Sequence, residues 1–324
     1  MKSAVAFFIY KRPEYAHKVW SEIRAARPPE LLIIADGPRE ESDRQKCEAT
    51  RAVVANVDWP CHVQYNYSDA NMGCRDRMAS GLKWVFEQVE ECIILEDDCL
   101  PAPSFFSFCD EMLDQYRQDE RVMHISGNNY FCEQYDTRYS YGFSKYSFSW
   151  GWATWRRAWR YFDLRISFWP EAKIAGLLIT VCESANERLF WGSVFDRQHR
   201  GASRAWDYSW LCTCWMHHGL SVLPIVNLVG NIGTGSDSTH TQDGLWCMNR
   251  AVGGIGKIQH PSVMIVNAAA DKLAYRMIFQ PPFWGLLRET VLNPWSYAST
   301  IRRFPLIGPW WSRWREKGKS VNII

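Results

Sequence analysis

Cys92-Ile93-Ile94-Leu95-Glu96-Asp97-Asp98-Cys99-Leu100-Pro101 is the stretch on which the reading of this chain turns. Its four leading apolar residues, rich in β-branching, read as a buried strand. Pro101 and Pro103 end it, and a helix is expected from about Ser104. Three adjacent carboxylates repel one another unless a cation or hydrogen-bond donors neutralise them. A hard divalent metal with oxygen ligands is one common solution. Open α/β sheets also bind ligands at the carboxyl ends of their strands. An acidic turn that caps the following helix fits the same residues. The local sequence leaves both readings open.

Working outward, the first 130 residues alternate strand and helix. Ala4 to Tyr10 reads as a strand, and Pro13 opens a helix with apolar positions Ala16, Val19, Trp20 and Ile23. Leu31 to Ala35 is a second strand, closed by Asp36-Gly37-Pro38. A polar helix follows from about Glu41 to Ala55. Val63, Tyr65 and Tyr67 alternate as in a third strand. Gly73 precedes a helix with a stripe of Met78, Leu82, Val85, Phe86 and Val89. The acidic strand is fourth, and Val122 to Ser126 is fifth. Such alternation predicts a mostly parallel central sheet with helices on both faces, a Rossmann-like α/β fold. No G-x-G-x-x-G follows the first strand, and no P-loop motif is present.

Beyond Asn129 the chain turns aromatic. Ser149-Trp150-Gly151-Trp152-Ala153-Thr154-Trp155 leads into an expected helix from about Ala153 to Phe162. Further helices are expected over Ser184 to Gln198 and from Trp206-Asp207-Tyr208 through Met216, with a late strand over Ser221 to Val226. Gly230 to His240 is a Gly/Ser/Thr-rich loop.

Composition narrows the classes. The 324 residues carry a net charge of +2, which argues against nucleic acid as the main partner. Hydrophobic content of 47% supplies a full core. The 11 cysteines lack paired C-x-x-C spacing and sit largely in apolar runs, so reduced thiols and a cytoplasmic location are expected. The apolar N-terminal run precedes its positive charges, the reverse of a signal peptide. The 18 tryptophans suit sugar rings and apolar interfaces alike.

The ordered landmarks resemble one family. Arg12 follows the first strand and Asp36 the second. Gly73 starts a helix that carries Trp84. Glu96-Asp97-Asp98 is followed by Pro103, Phe105 and Phe106. Ser126-Gly127-Asn128-Asn129, Gly151-Trp152, Trp206-Asp207-Tyr208-Ser209-Trp210 and a loop with Gly233, Gly235 and His240 complete the set. Over about the first 245 residues this order resembles the GT-A glycosyltransferases, nearest to N-acetylglucosaminyltransferase I and bacterial relatives of polysaccharide synthesis. The resemblance implies a catalytic domain over 1–265, with a nucleotide-binding half (1–100) and an acceptor half (101–265), and a helical extension over 266–324. It implies an inverting, metal-dependent transfer of a hexosyl or N-acetylhexosaminyl unit from a nucleotide-diphosphate donor to a saccharide or lipid-linked saccharide.

Carried over by position, the resemblance implies that Arg12, Asp36, Gly73, Asp97, Gly235 and His240 bind the donor. Asp98 would ligate Mn²⁺ or Mg²⁺, with His240 a second candidate ligand. Asp207 would be the catalytic base that deprotonates the acceptor hydroxyl, with Glu187 and Asp196 as substitutes. Asn128 and Asn129 could hydrogen-bond sugar hydroxyls, and Trp150 and Trp152 could stack on a sugar face. The interleaved aromatic and basic residues from Phe279 to Lys317 suggest peripheral contact with the inner membrane. They fit equally a tail that packs back on the protein. Two other classes remain in view. A sugar-nucleotide nucleotidyltransferase expects a Gly-rich loop after the first strand, where this chain has Tyr10-Lys11-Arg12-Pro13. A non-catalytic carbohydrate-binding protein would use the tryptophans alone.

Overall fold

The computed structural model describes residues 1–136, 138–233 and 251–279. A compact unit spans Met1–Tyr275; the remaining unit, Arg276–Ile324, lies almost wholly outside the described residues.

Ten strands occur among the described residues. They are β1 (Ala4–Ile9), β2 (Glu30–Ala35), β3 (His62–Tyr67), β4 (Glu91–Glu96), β5 (Cys99–Pro101), β6 (Val122–Ser126), β7 (Tyr141–Ser144), β8 (Trp152–Trp155), β9 (Leu220–Pro224) and β10 (Val229–Asn231). Eight build one sheet in the order β3-β2-β1-β4-β8-β6-β9-β7. Strands β3, β2, β1 and β4 run parallel, and β6 and β9 share their direction. Only β8 and β7 run against them, so the sheet is mostly parallel, as the alternation predicts.

Helices cover both faces. Alternate residues of the central strands explain why. Val5, Phe7, Ile9, Leu31 and Ile33 pack with α1 (Pro13–Ala26) and with the Phe105, Phe108 and Met112 side of α4 (Pro103–Gln115). Ala4, Ala6, Phe8, Leu32 and Ile34 face the other way. They meet Met78, Leu82, Val85 and Phe86 of α3 (Cys74–Gln88), α2 being Glu41–Val53. Successive strand side chains point to opposite faces, so near-continuous apolar runs are what two covered faces require.

The aromatic stretch folds differently from its sequence expectation. Trp152–Trp155 is strand β8, pairing antiparallel with both β4 and β6; only Arg156–Trp159 (α5) is helical. All four β8 residues are buried, so the strand shows no alternation of apolar and polar positions, and a short buried run gives no period to read. Trp152 is 1% exposed and lies against His124, Trp159, Trp206 and Trp210. It is a core residue in this structure.

Four more helices follow α5. They are α6 (Trp169–Ala175) with α7 (Leu177–Val181), then α8 (Ala185–His199) and α9 (Asp207–Met216). Helix α10 (Ala268–Ala274) is tied to β7: Asp271 accepts from the Ser144 hydroxyl and from the Lys145 backbone N–H. No helix of the described residues is long and apolar enough to cross a membrane.

Candidate functional site

The acidic turn sits where the parallel half of the sheet predicts a ligand site, at the carboxyl end of β4. β1 and β4 are in register through Phe8 and Glu96, so the residues after β1 face those after β4. The Tyr10 backbone N–H donates to Asp97 Oδ2 at 3.1 Å. Arg12 Nη1 lies 2.9 Å from Asp98 Oδ2 and 3.9 Å from Asp97 Oδ1. A guanidinium therefore supplies cationic charge to the acid pair from within the chain.

That charge does not neutralise the cluster. Burial first, and then the Asp98 charge, push Asp97 up to about 7. Glu96 is raised well above the ordinary carboxylate range, first by burial and then by Asp98, Asp97 and Asp207. The last of these matters most for the layout. Asp207 is the first residue of α9, more than a hundred residues downstream, yet its charge acts on Glu96. It also acts on Cys74, whose thiol burial raises, together with Glu96, Asp207, Asp98 and Asp36. Cys74 thus feels acids from three chain segments.

A strap closes one side of the turn. β10 pairs antiparallel with β5, the Ile232 N–H donates to the Asp98 carbonyl at 2.8 Å, and the Gly233 N–H to Asn231 Oδ1. A Cβ on Gly233 would fall on the Asp98 carboxylate, so only glycine lets the strap lie this close. The expected donor contacts Gly235 and His240 lie outside the described residues.

Asp36 has another task in the structure. Its two oxygens accept from the N–H groups of Gly37, Met72 and Gly73 and from Asn71 Nδ2, at 2.9 to 3.0 Å. Four donors occupy a carboxylate's acceptor sites. Asp36 therefore fixes the loop that delivers Gly73, the N-cap of α3 at φ +78°. Asn129 is similarly committed: its amide donates to the Pro224 carbonyl and its oxygen accepts from Phe131 N–H, in a wholly buried position. In the structure Asn129 thus serves the scaffold. Asn128 holds Trp150 N–H through Oδ1, and its buried Nδ2 has no partner among the described residues. Trp150 is half-buried beside Tyr130. The two substitute bases are also scaffold. Glu187 binds Lys145, Tyr146 and the Glu183 N–H, and Asp196 binds Lys173 and Trp169.

Among the described residues no group of three His, Cys, Asp or Glu side chains is arranged to hold a metal ion. What is present is one half-buried carboxylate, Asp98, with one oxygen on Arg12. That donor set suits a magnesium-type ion only when ligand phosphates complete it, as such ions usually require.

No family model matches the chain, and no curated protein matches it. Solved structures give distant likenesses. Galactosyltransferase LgtC, solved in complex with donor and acceptor sugar analogues, is 12% identical over 67% of this chain and 86% of its own, with a TM-score of 0.33. Mouse xyloside xylosyltransferase 1, in its apo form, is 12% identical over 67% of this chain and 83% of its own, with a TM-score of 0.37. UDP-glucose pyrophosphorylase complexed with UDP-glucose is 11% identical over 39% of this chain and 56% of its own, with a TM-score of 0.24. At these scores the likenesses decide no chemistry, and the site has to be read from its own residues.

Proposed function

We propose that this chain is a GT-A glycosyltransferase that moves a hexosyl or N-acetylhexosaminyl unit from a nucleotide-diphosphate donor to a saccharide or lipid-linked saccharide, in cell-surface polysaccharide synthesis. One observation carries the reading: the acid turn at the carboxyl end of β4 has Arg12 on Asp98, and the charge of Asp207, at the head of α9, bears on Glu96. One acid group sits where a donor would lie, and a second carboxylate reaches it from the aromatic half.

In this reading Asp207 takes the proton of the acceptor hydroxyl, and a single base on the acceptor side gives inversion. Arg12 offers a positive charge beside the donor, and the Tyr10 N–H holds Asp97 in place. A divalent ion, Mn²⁺ or Mg²⁺, bound by Asp98 together with donor phosphates, would stabilise charge on the leaving diphosphate. The test is a panel of nucleotide sugars with purified protein, with and without Mn²⁺. Metal-dependent donor hydrolysis or transfer supports the reading. Release of pyrophosphate from a nucleoside triphosphate plus a sugar phosphate would replace it with nucleotidyl transfer. The tail from residue 280 is proposed to contact the inner membrane. Flotation with anionic liposomes should be lost in a chain ending near Ala270, and equal flotation removes that part.

A further inference from the structure

His124 is a buried polar side chain that the proposed chemistry leaves unused. It lies in β6 at 0% exposure, and its ring stacks on Trp152 with 5.0 Å between centroids. Both ring nitrogens are paired. Trp210 Nε1 donates to His124 Nδ1 at 3.1 Å, and His124 Nε2 lies 2.9 Å from the Phe148 carbonyl. An indole N–H only donates and a carbonyl only accepts, so the partners dictate a neutral ring with its hydrogen on Nε2. Burial pushes the imidazole down to about 4, which keeps it in that form at neutral pH. An apolar side chain would serve packing alone, whereas a polar ring here is costly unless it is paired.

What the pair holds is the head of α9. Trp210 lies three residues after Asp207, so the two sit one turn apart on the same side of the helix. Trp206 and Trp210 pack on Trp152 and Trp159. Apolar burial has no direction, so these rings hold α9 against the sheet without fixing its rotation. A hydrogen bond has an angle as well as a length, and this one runs from the sheet to the turn that carries Asp207. The charge of Asp207 bears on Glu96, so a rotation of α9 shifts one carboxylate against the other. The Ser126 hydroxyl donates to the same Phe148 carbonyl, which therefore keeps a donor if His124 is changed.

We propose that His124 is a positioning residue: through Trp210 it sets the rotation of α9 and so the place of Asp207 against the acid turn. The role of Asp207 as base rests on the glycosyltransferase reading; the tie itself does not. The test compares the full wild-type chain with His124→Gln, His124→Asn and Trp210→Phe by transfer kinetics and by hydrogen–deuterium exchange. Asn puts an oxygen at the place of Nδ1 and still accepts from Trp210. Gln reaches toward Phe148 and leaves Trp210 without an acceptor. Trp210→Phe removes the donor but keeps an aromatic ring, and it decides the outcome if His124→Gln does not fold. His124→Gln and Trp210→Phe should lower kcat by about tenfold to a hundredfold with the donor KM unchanged, the pattern of a misplaced reacting group. His124→Asn should restore most of the rate. The amides of residues 207–211 should exchange faster in His124→Gln and Trp210→Phe than in wild type and His124→Asn. A histidine that only packs predicts lower melting temperatures with kcat unchanged, or equal damage in His124→Asn and His124→Gln; either result overturns the proposal. If the wild type transfers no sugar, the glycosyltransferase reading sinks and the exchange pattern alone decides the tie. Exchange unchanged in His124→Gln and Trp210→Phe then overturns it.

Discussion

Two groups of buried acids in this molecule are built on opposite terms. Glu187 and Asp271 belong to a network in which each carboxylate oxygen meets a donor: Lys145, Tyr146 and a backbone N–H for Glu187, Ser144 and a backbone N–H for Asp271. Glu96, Asp97 and Asp98 instead crowd one another, with Arg12 as their nearest cation and with Asp207 adding further negative charge. The first group is matched internally and holds α8 and α10 to β7. Among the described residues the second is stabilised only in part, the state expected where a ligand completes a site.

That contrast can be broken from either side. Asp207→Asn is expected to lower transfer by about 10²- to 10⁴-fold, the range for losing a general base, with little change in melting temperature. A large stability loss without a specific rate loss would place Asp207 with the scaffold. Glu187→Ala should do the opposite, costing about 3–5 kcal/mol in urea denaturation because it leaves Lys145 buried and unpaired. Burial raises Asp271 to about 6 from 3.8. A carboxyl with a raised folded pKa contributes stability that is present below its unfolded value and lost as pH rises through the folded one. Stability should therefore decline between about pH 4 and 6, and Asp271→Asn should flatten that part of the profile. An unchanged profile removes Asp271 as its source. The smallest expected effect is on Gly233→Ala, where the added methyl displaces the Asp98 carboxylate. A several-fold weaker donor affinity at unchanged fold would sharpen the assignment, and unaltered binding would separate Asp98 from the donor.

The readable parts of the sequence were those with a period or a stop. Leu31 to Ala35 and Cys92 to Leu95 announce strands because apolar runs end at turn-forming or acidic residues, and the helix stripes at Ala16–Ile23 and Met78–Val89 repeat at helical spacing. The acid turn, Gly73 and Asp207 were visible as residue types in order. What the sequence hid depends on long-range contact. Nothing local tells that Trp152 is packed among aromatic rings and Trp150 only half-buried, or that Asn129 spends its amide on Pro224. Asp36 reads as a ligand contact or a turn residue, and the structure shows it gripping a loop more than thirty residues away.

The position of β8 has a consequence for how the chain is made. β4 and β6 flank β8 in the sheet, yet both leave the ribosome before it. Until residue 155 is synthesised, β4 has an open edge and β6 has no neighbour, and both are open to wrong partners. The Trp-Ala-Thr-Trp segment is thus the link between the four parallel strands and the rest of the sheet, and a pause or truncation before it leaves β6 and β7 with nothing to pair with, since β9 is also still to come.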